Sequence, residues 1–176
     1  MLSLTALESF RRHLKVSDLN LQISEDWGSN NPQHRELIHQ HRATLLEKTP
    51  DLNSSISHTH DLGIVALCSA PIGVDIEKTS RVHSDVVRRI ASAEEMQQAP
   101  SPAALWCAKE ASFKALRDFA QPSVVSAISI GNWTKIDSHT ETFALLNFHN
   151  FSAPLAGHGL VFQLTNHTLG FFIFSA

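Results

Sequence analysis

The stretch Ile72-Gly73-Val74-Asp75-Ile76-Glu77 decides how the rest of this chain is read. Its apolar and polar residues alternate strictly, the period of a β-strand whose successive side chains face opposite sides. Ile72, Val74 and Ile76 therefore turn to the core, and Gly73, Asp75 and Glu77 share the other face. Side chains two apart on a strand stand roughly 6–7 Å from each other, twice a rise of about 3.3 Å. A hard divalent cation can bridge two carboxylates over that span, directly or through water. Gly73 beside them leaves room for a ligand to approach the backbone. A solvated edge strand gives the same alternation, so the hexapeptide alone leaves both readings open.

Upstream, Ile64-Val65-Ala66-Leu67-Cys68 is a short apolar run that Ser69-Ala70-Pro71 breaks, and the two runs together read as a hairpin. Before them stands Ser55-Ile56-Ser57-His58-Thr59-His60, a turn whose hydroxyls and imidazole can hold a phosphate. His58 and His60 lack a third nitrogen or sulfur ligand at standard spacing, and among eleven histidines a chance pair is expected. Nearer the amino terminus, the spacing of Leu4, Leu7, Phe10, Leu14 and Leu19 predicts a helix over 4–21. A second is expected over 33–46, joined to the first segment through 28–32.

Downstream, a helix is expected over 84–91, followed by the capping box Ser92-Ala93-Glu94-Glu95. Ser101 and Pro102 then read as N-cap and first helical position of a helix over 102–119. Within it Trp106, Glu110 and Lys114 recur at four-residue spacing on one face, with Phe113 and Leu116 toward the core. Glu110 and Lys114 also have the spacing of a surface ion pair worth about 0.3–0.5 kcal/mol. Joined to Asp75 and Glu77, however, Glu110 makes a third carboxylate, and an all-oxygen donor set selects Mg²⁺ over zinc or copper. A lysine nearby can neutralise phosphate charge. From Val124 onward short runs of Val, Ile, Phe and Leu predict strands, the last two over 159–164 and 168–174. The fold class is α+β with antiparallel sheet, and no internal sequence repeat is visible.

The 176 residues, 43% of them hydrophobic, suffice for one compact unit. A formal net charge of −3 provides no basic field for nucleic acid. Cys68 and Cys107 lie far apart in apolar surroundings and read as core residues of a reducing compartment. The amino terminus is interrupted by charge too early for a secretory signal, and no apolar run suffices to cross a bilayer. A cytoplasmic location and no membrane partner are the expectations.

Taken in order, Ile72 to Glu77 and Trp106-Cys107-Ala108-Lys109-Glu110-Ala111-Ser112-Phe113-Lys114 resemble the two signature motifs of the 4′-phosphopantetheinyl transferase superfamily. Ile56-Ser57-His58-Thr59 resembles a third motif, that of the surfactin-synthetase-activating branch, with Thr59 where a serine is common. The resemblance implies two similar α+β lobes joined about an internal pseudo-two-fold. Residues 1–62 would form the N-terminal lobe and 63–176 the C-terminal lobe that carries the motifs, in a monomer. It also implies Mg²⁺-dependent transfer of 4′-phosphopantetheine from coenzyme A to a serine of an apo acyl or peptidyl carrier protein, with 3′,5′-ADP leaving.

Carried over residue by residue, Asp75, Glu77 and Glu110 would hold Mg²⁺, and Lys114 would contact the pyrophosphate of coenzyme A. His58, with Ser57 beside it, would meet the 3′-phosphate. Glu110 and Lys114 would be the catalytic pair, with Glu110 as base for the serine proton. Lys109, read as an unburied lysine that stays protonated, would stabilise charge. Lys48 stands in Lys48-Thr49-Pro50, a remnant of the family's Gly-Lys-Pro element, and joins Arg35 and Arg42 as a nucleotide contact. The interval from Asp75 to Glu110 is shorter than the family commonly shows. Because such carriers are acidic, Lys78, Arg81, Arg88 and Arg89 are the expected docking residues. The alternative from another class is a relative that binds coenzyme A or a carrier protein without transferring anything. A Mg²⁺-dependent phosphodiester hydrolase would share the carboxylates but would explain neither the Trp106–Lys114 helix nor the Ser57-His58 turn.

Overall fold

The computed structural model describes residues 3–119, 121–148 and 157–175; positions 1, 2, 120, 149–156 and 176, which fall within stretches read above, lie outside the described residues. Ser3 caps the first helix, its hydroxyl accepting from the Ala6 N–H at 3.1 Å, and α1 (Leu4–Leu14) buries Phe10 and Leu14. It stops at Lys15, whose φ of 54° is left-handed, so the expected helix over 4–21 is shorter. Leu19 continues the leucine rhythm because it reaches the same core from the extended segment before β1 (Asn20–Ser24). Next come α2 (His34–Lys48), β2 (Asn53–His58) and β3 (Gly63–Cys68), which close a three-stranded antiparallel sheet of order β1-β3-β2.

The chain then changes sheets at 69–71. β4 (Ile72–Lys78) belongs to a five-stranded antiparallel sheet of order β4-β8-β7-β6-β5. It leads through α3 (Ser84–Val87), α4 (Ala93–Gln98) and α5 (Pro102–Ala115) to β5 (Ile128–Lys135), β6 (Thr140–Phe148), β7 (Gly157–Leu164) and β8 (His167–Phe174). The expected hairpin between 64–68 and 72–77 is therefore not formed: β3 pairs with β1 and β2, whereas β4 pairs with β8, Asp75 opposite Gly170 and Glu77 opposite Thr168. The passage between sheets lies beyond the lobe boundary that the sequence places at 62/63.

The two sheets repeat one topology. In β1-α2-β2-β3 the first strand pairs antiparallel with the last, which also takes the third; β4-α5-β7-β8 does the same, with β5 and β6 added after the helix. The described structure is thus α+β, with two unequal antiparallel sheets and one long helix in each half. A core of Phe10, Leu14, Ile64, Ala66, Ile72, Val74, Ile76, Leu169 and Phe171 runs through both sheets.

Local signals account for the helix starts. Ser101 accepts from the Ala104 N–H ahead of Pro102, and at Ser92 both halves of the capping box with Glu95 are made. α5 ends at Ala115, short of 119, and is buried nearly all round, leaving Trp106, Glu110, Phe113 and Lys114 half-buried. It lies close on β4 and β8 because both strands present glycine there. A Cβ at Gly73 would collide with the Ala111 carbonyl, and one at Gly170 with that of Cys107. Gly73 thus admits a helix and not a ligand, which corrects the sequence expectation.

Candidate active site

β4 is an edge strand, so the N–H groups of Val74 and Ile76 point away from β8 and need partners. Two serines of β2 supply them. Ser55 Oγ accepts from Val74 N–H at 3.0 Å, and Ser57 Oγ accepts from Ile76 N–H at 3.3 Å. The Ser57 hydroxyl then donates to Asp75 Oδ1 at 2.8 Å. From α5, Lys114 Nζ donates to the same oxygen at 2.7 Å and to the Val74 carbonyl at 3.1 Å. Asp75 is thereby fixed from both halves of the molecule. It is 4% exposed, and its Oδ2 is buried without a hydrogen-bond partner.

Glu77 and Glu110 stand within electrostatic reach of Asp75. Burial first, then the negative charges of Asp75 and Glu110, push the Glu77 carboxyl up to about 7, against the pull of Lys114. Burial and Asp75 likewise raise Glu110. Lys114 alone pairs directly with this group of three carboxylates among the described residues, with Arg81 acting on Glu77 from further off, a charge imbalance that a hard dication would correct. The residues fit such an ion in donor type and in the free oxygen of Asp75. Among the described residues no three His, Cys, Asp or Glu side chains are already gathered at metal-holding distance.

Beside Lys114 opens a cavity of about 360 Å³, walled by Arg35 and His39 of α2 and by Ser57 and His58 of β2. Burial holds the His58 imidazole below its ordinary range, and the positive charges of His34, Arg35, Lys114 and His39 add to the effect. Four basic side chains around one small cavity give it a positive field that attracts anions, adjoining the carboxylates.

The structure brings together Asp75, Glu77, Glu110, Lys114, Ser57 and His58, with Arg35 in the cavity wall. Lys109 and Lys48 do not join them. Lys109 is fully buried on another side of α5, its ammonium 2.7 Å from Glu95 and 2.5 Å from the Ile128 carbonyl. Glu95 also accepts from the Ile130 N–H, and the pair ties α4, α5 and β5 together. The reading of Lys109 as unburied is thus wrong; burial lowers its proton affinity and Glu95 restores part of it. Lys48 is exposed in the last turn of α2, with no contact to the site. Arg42 is half-buried, its Nε without a hydrogen-bond partner.

Sequence reasoning missed His39 and Ser55. His39 follows Arg35 by one helical turn, a spacing that was available; the role of Ser55 depends on a non-local strand neighbour. Cys107, wholly buried behind Asp75, donates to the Thr168 carbonyl, and burial raises its thiol far above the usual range, so it is inert. Among the described residues no helix is long and apolar enough to cross a membrane.

No curated protein matches the chain. A family model does, over residues 71–170, more than half of the chain and the whole run from the start of β4 through α5 into β8. Asp75, Glu77, Glu110 and Lys114 all fall inside that span, and the chain belongs to the 4′-phosphopantetheinyl transferase superfamily.

Proposed function

We propose that the chain transfers the 4′-phosphopantetheine group of coenzyme A to a serine of an apo acyl or peptidyl carrier protein with Mg²⁺, as a monomeric, cytoplasmic member of the surfactin-synthetase-activating type. The observation that carries this reading is the adjacency of a three-carboxylate cluster, anchored at Asp75, to a cationic cavity, with Lys114 touching both. Asp75, Glu77 and Glu110 would hold the metal, which when bound supplies charge neutralisation at the pyrophosphate.

Each residue has a distinct task. His58, Arg35 and His39 receive the phosphates of the nucleotide end, and Lys114 faces the pyrophosphate from its place against Asp75. Glu110, whose basicity is raised by burial and by Asp75, takes the proton of the carrier serine. The serine oxygen bonds to the β-phosphorus, the bond from that phosphorus to the bridging oxygen breaks, and 3′,5′-ADP leaves. Arg81, Arg88 and Arg89 are exposed on the segment after β4 and offer an acidic carrier a docking face, although Arg88 already pairs with Asp85 at 2.5 Å.

Incubation with coenzyme A, Mg²⁺ and a panel of apo carrier proteins tests the proposal, read by mass spectrometry of the carrier. Gain of one phosphopantetheine supports it. Intact coenzyme A binding without transfer to any carrier would favour a non-catalytic relative. Charge reversal at Arg88 and Arg89 is expected to raise KM for the carrier; an unchanged KM removes those residues from docking.

A further inference from the structure

His34 opens α2 and stands behind the cavity wall. Its Nδ1 lies 2.6 Å from the Asn31 carbonyl, which can only accept, so Nδ1 carries hydrogen. Its Nε2 is buried without a hydrogen-bond partner. The ring meets that of His58 nearly at right angles, centroids 4.7 Å apart, and His58 in turn lines the cavity.

We propose that His34 is a positioning residue for anion recognition: it braces the His58 ring at the cavity wall, so that the imidazole stands where a phosphate in the cavity meets it. This rests on the reading of the cavity as the nucleotide end of the coenzyme A site. The Asn31 contact fixes the orientation of the His34 ring, which a phenylalanine of the same shape could not do, and the buried, unpartnered Nε2 is a cost that a merely space-filling ring would avoid. The charged and titratable groups that bear on His58 are His34, Arg35 and His39 from α2 and Lys114 from α5. An anion in the cavity favours the charged form of His58, the ring that lines it.

The test is calorimetric titration of the full chain with coenzyme A and with dephospho-coenzyme A, in Mg²⁺, between pH 6 and 8. His34→Ala removes the brace and is expected to weaken coenzyme A about tenfold, the loss of one charged hydrogen bond, without change for dephospho-coenzyme A. His34→Phe keeps the shape but not the Asn31 anchor and guards against a merely unfolded variant; it is expected to weaken coenzyme A less than His34→Ala does, again without change for dephospho-coenzyme A. Equal losses for the two ligands, or wild-type coenzyme A affinity in His34→Ala, overturn the proposal. A wild-type chain that binds neither ligand instead overturns the coenzyme A reading itself, and one that binds both equally well removes phosphate recognition from this cavity.

Discussion

In the first half of the molecule, α2 turns Arg35 and His39 outward beside β2, and the cavity they line is basic. In the second half, α5 lies so close on β4 and β8 that glycines are required beneath it, and the groups left at its margin are Glu110 and Lys114. β4, β8 and β7 follow the order of β1, β3 and β2, yet the first half gathers positive charge and the second carboxylates, with Lys114 between them. The seam between them, where β2 serines cap the edge of β4, puts the two sets side by side. A duplicated topology has thus been divided into a cationic half and a carboxylate half, and the two charge sets meet only at the seam.

Removing the carboxylate half's contribution should break the division most strongly. Asp75→Ala and Glu110→Ala are each expected to lower transfer by roughly 10³-fold or more, since a metal supplies several kcal/mol of charge stabilisation. Circular dichroism should remain that of the wild type in Glu110→Ala, which relieves carboxylate crowding, whereas Asp75→Ala also removes the partner of Ser57 and Lys114 and is read on its folded fraction. Retained activity in either variant would detach the cluster from the reaction.

The two lysines of α5 sharpen the contrast between scaffold and chemistry within one helix. Lys109→Met leaves Glu95 without its buried partner and should cost about 3–5 kcal/mol of stability, with kcat of the folded fraction retained. Lys114→Ala should instead lose transfer even in the folded fraction, with a smaller drop in Tm because Asp75 keeps the Ser57 hydroxyl. Thermal melts and steady-state kinetics on the pair decide it; similar profiles for both variants would erase the distinction.

The sequence carried these two lysines unequally. Lys114 was legible because helix spacing from Glu110 and the motif agree. Lys109 was not, because its burial depends on Glu95, which the capping box places correctly as a local feature without revealing its distant partner. The strand Ile72–Lys78 was legible from alternation, but alternation does not say which strand pairs with it; a break at 69–71 suits a hairpin as well as a change of sheet. The repeated topology left no trace in sequence, since strand order is fixed by pairing and different side chains fill it. Gly73 was read for the right property, absence of a side chain, and the wrong neighbour. Gly73→Ala should therefore push α5 off β4 and cost about 1–3 kcal/mol, or a Tm lower by roughly 2–10 °C. Unaltered stability would show that the helix can yield.

The smallest expected effect concerns the charge on the carboxylate half in the absence of a divalent cation. The Glu77 carboxyl is held at about 7 in the folded chain, against an ordinary value of 4.5. Below the ordinary value it is protonated folded and unfolded alike and contributes nothing. Between the two values the folded state binds the extra proton, so stability falls as pH rises through that window, and above pH 7 the full penalty is present. Glu77→Gln removes the ionisable group, so with chelator it should be more stable than the wild type at pH 8, by about 1–3 kcal/mol, and equal to it near pH 4. Mg²⁺ reverses the comparison, since it is expected to stabilise the wild type more than the variant. Differential scanning calorimetry at the two pH values, with chelator and with Mg²⁺, reads all four conditions. A variant no more stable than the wild type at pH 8 would mean that Glu77 does not share the field of Asp75 and Glu110, and the negative half would reduce to those two carboxylates.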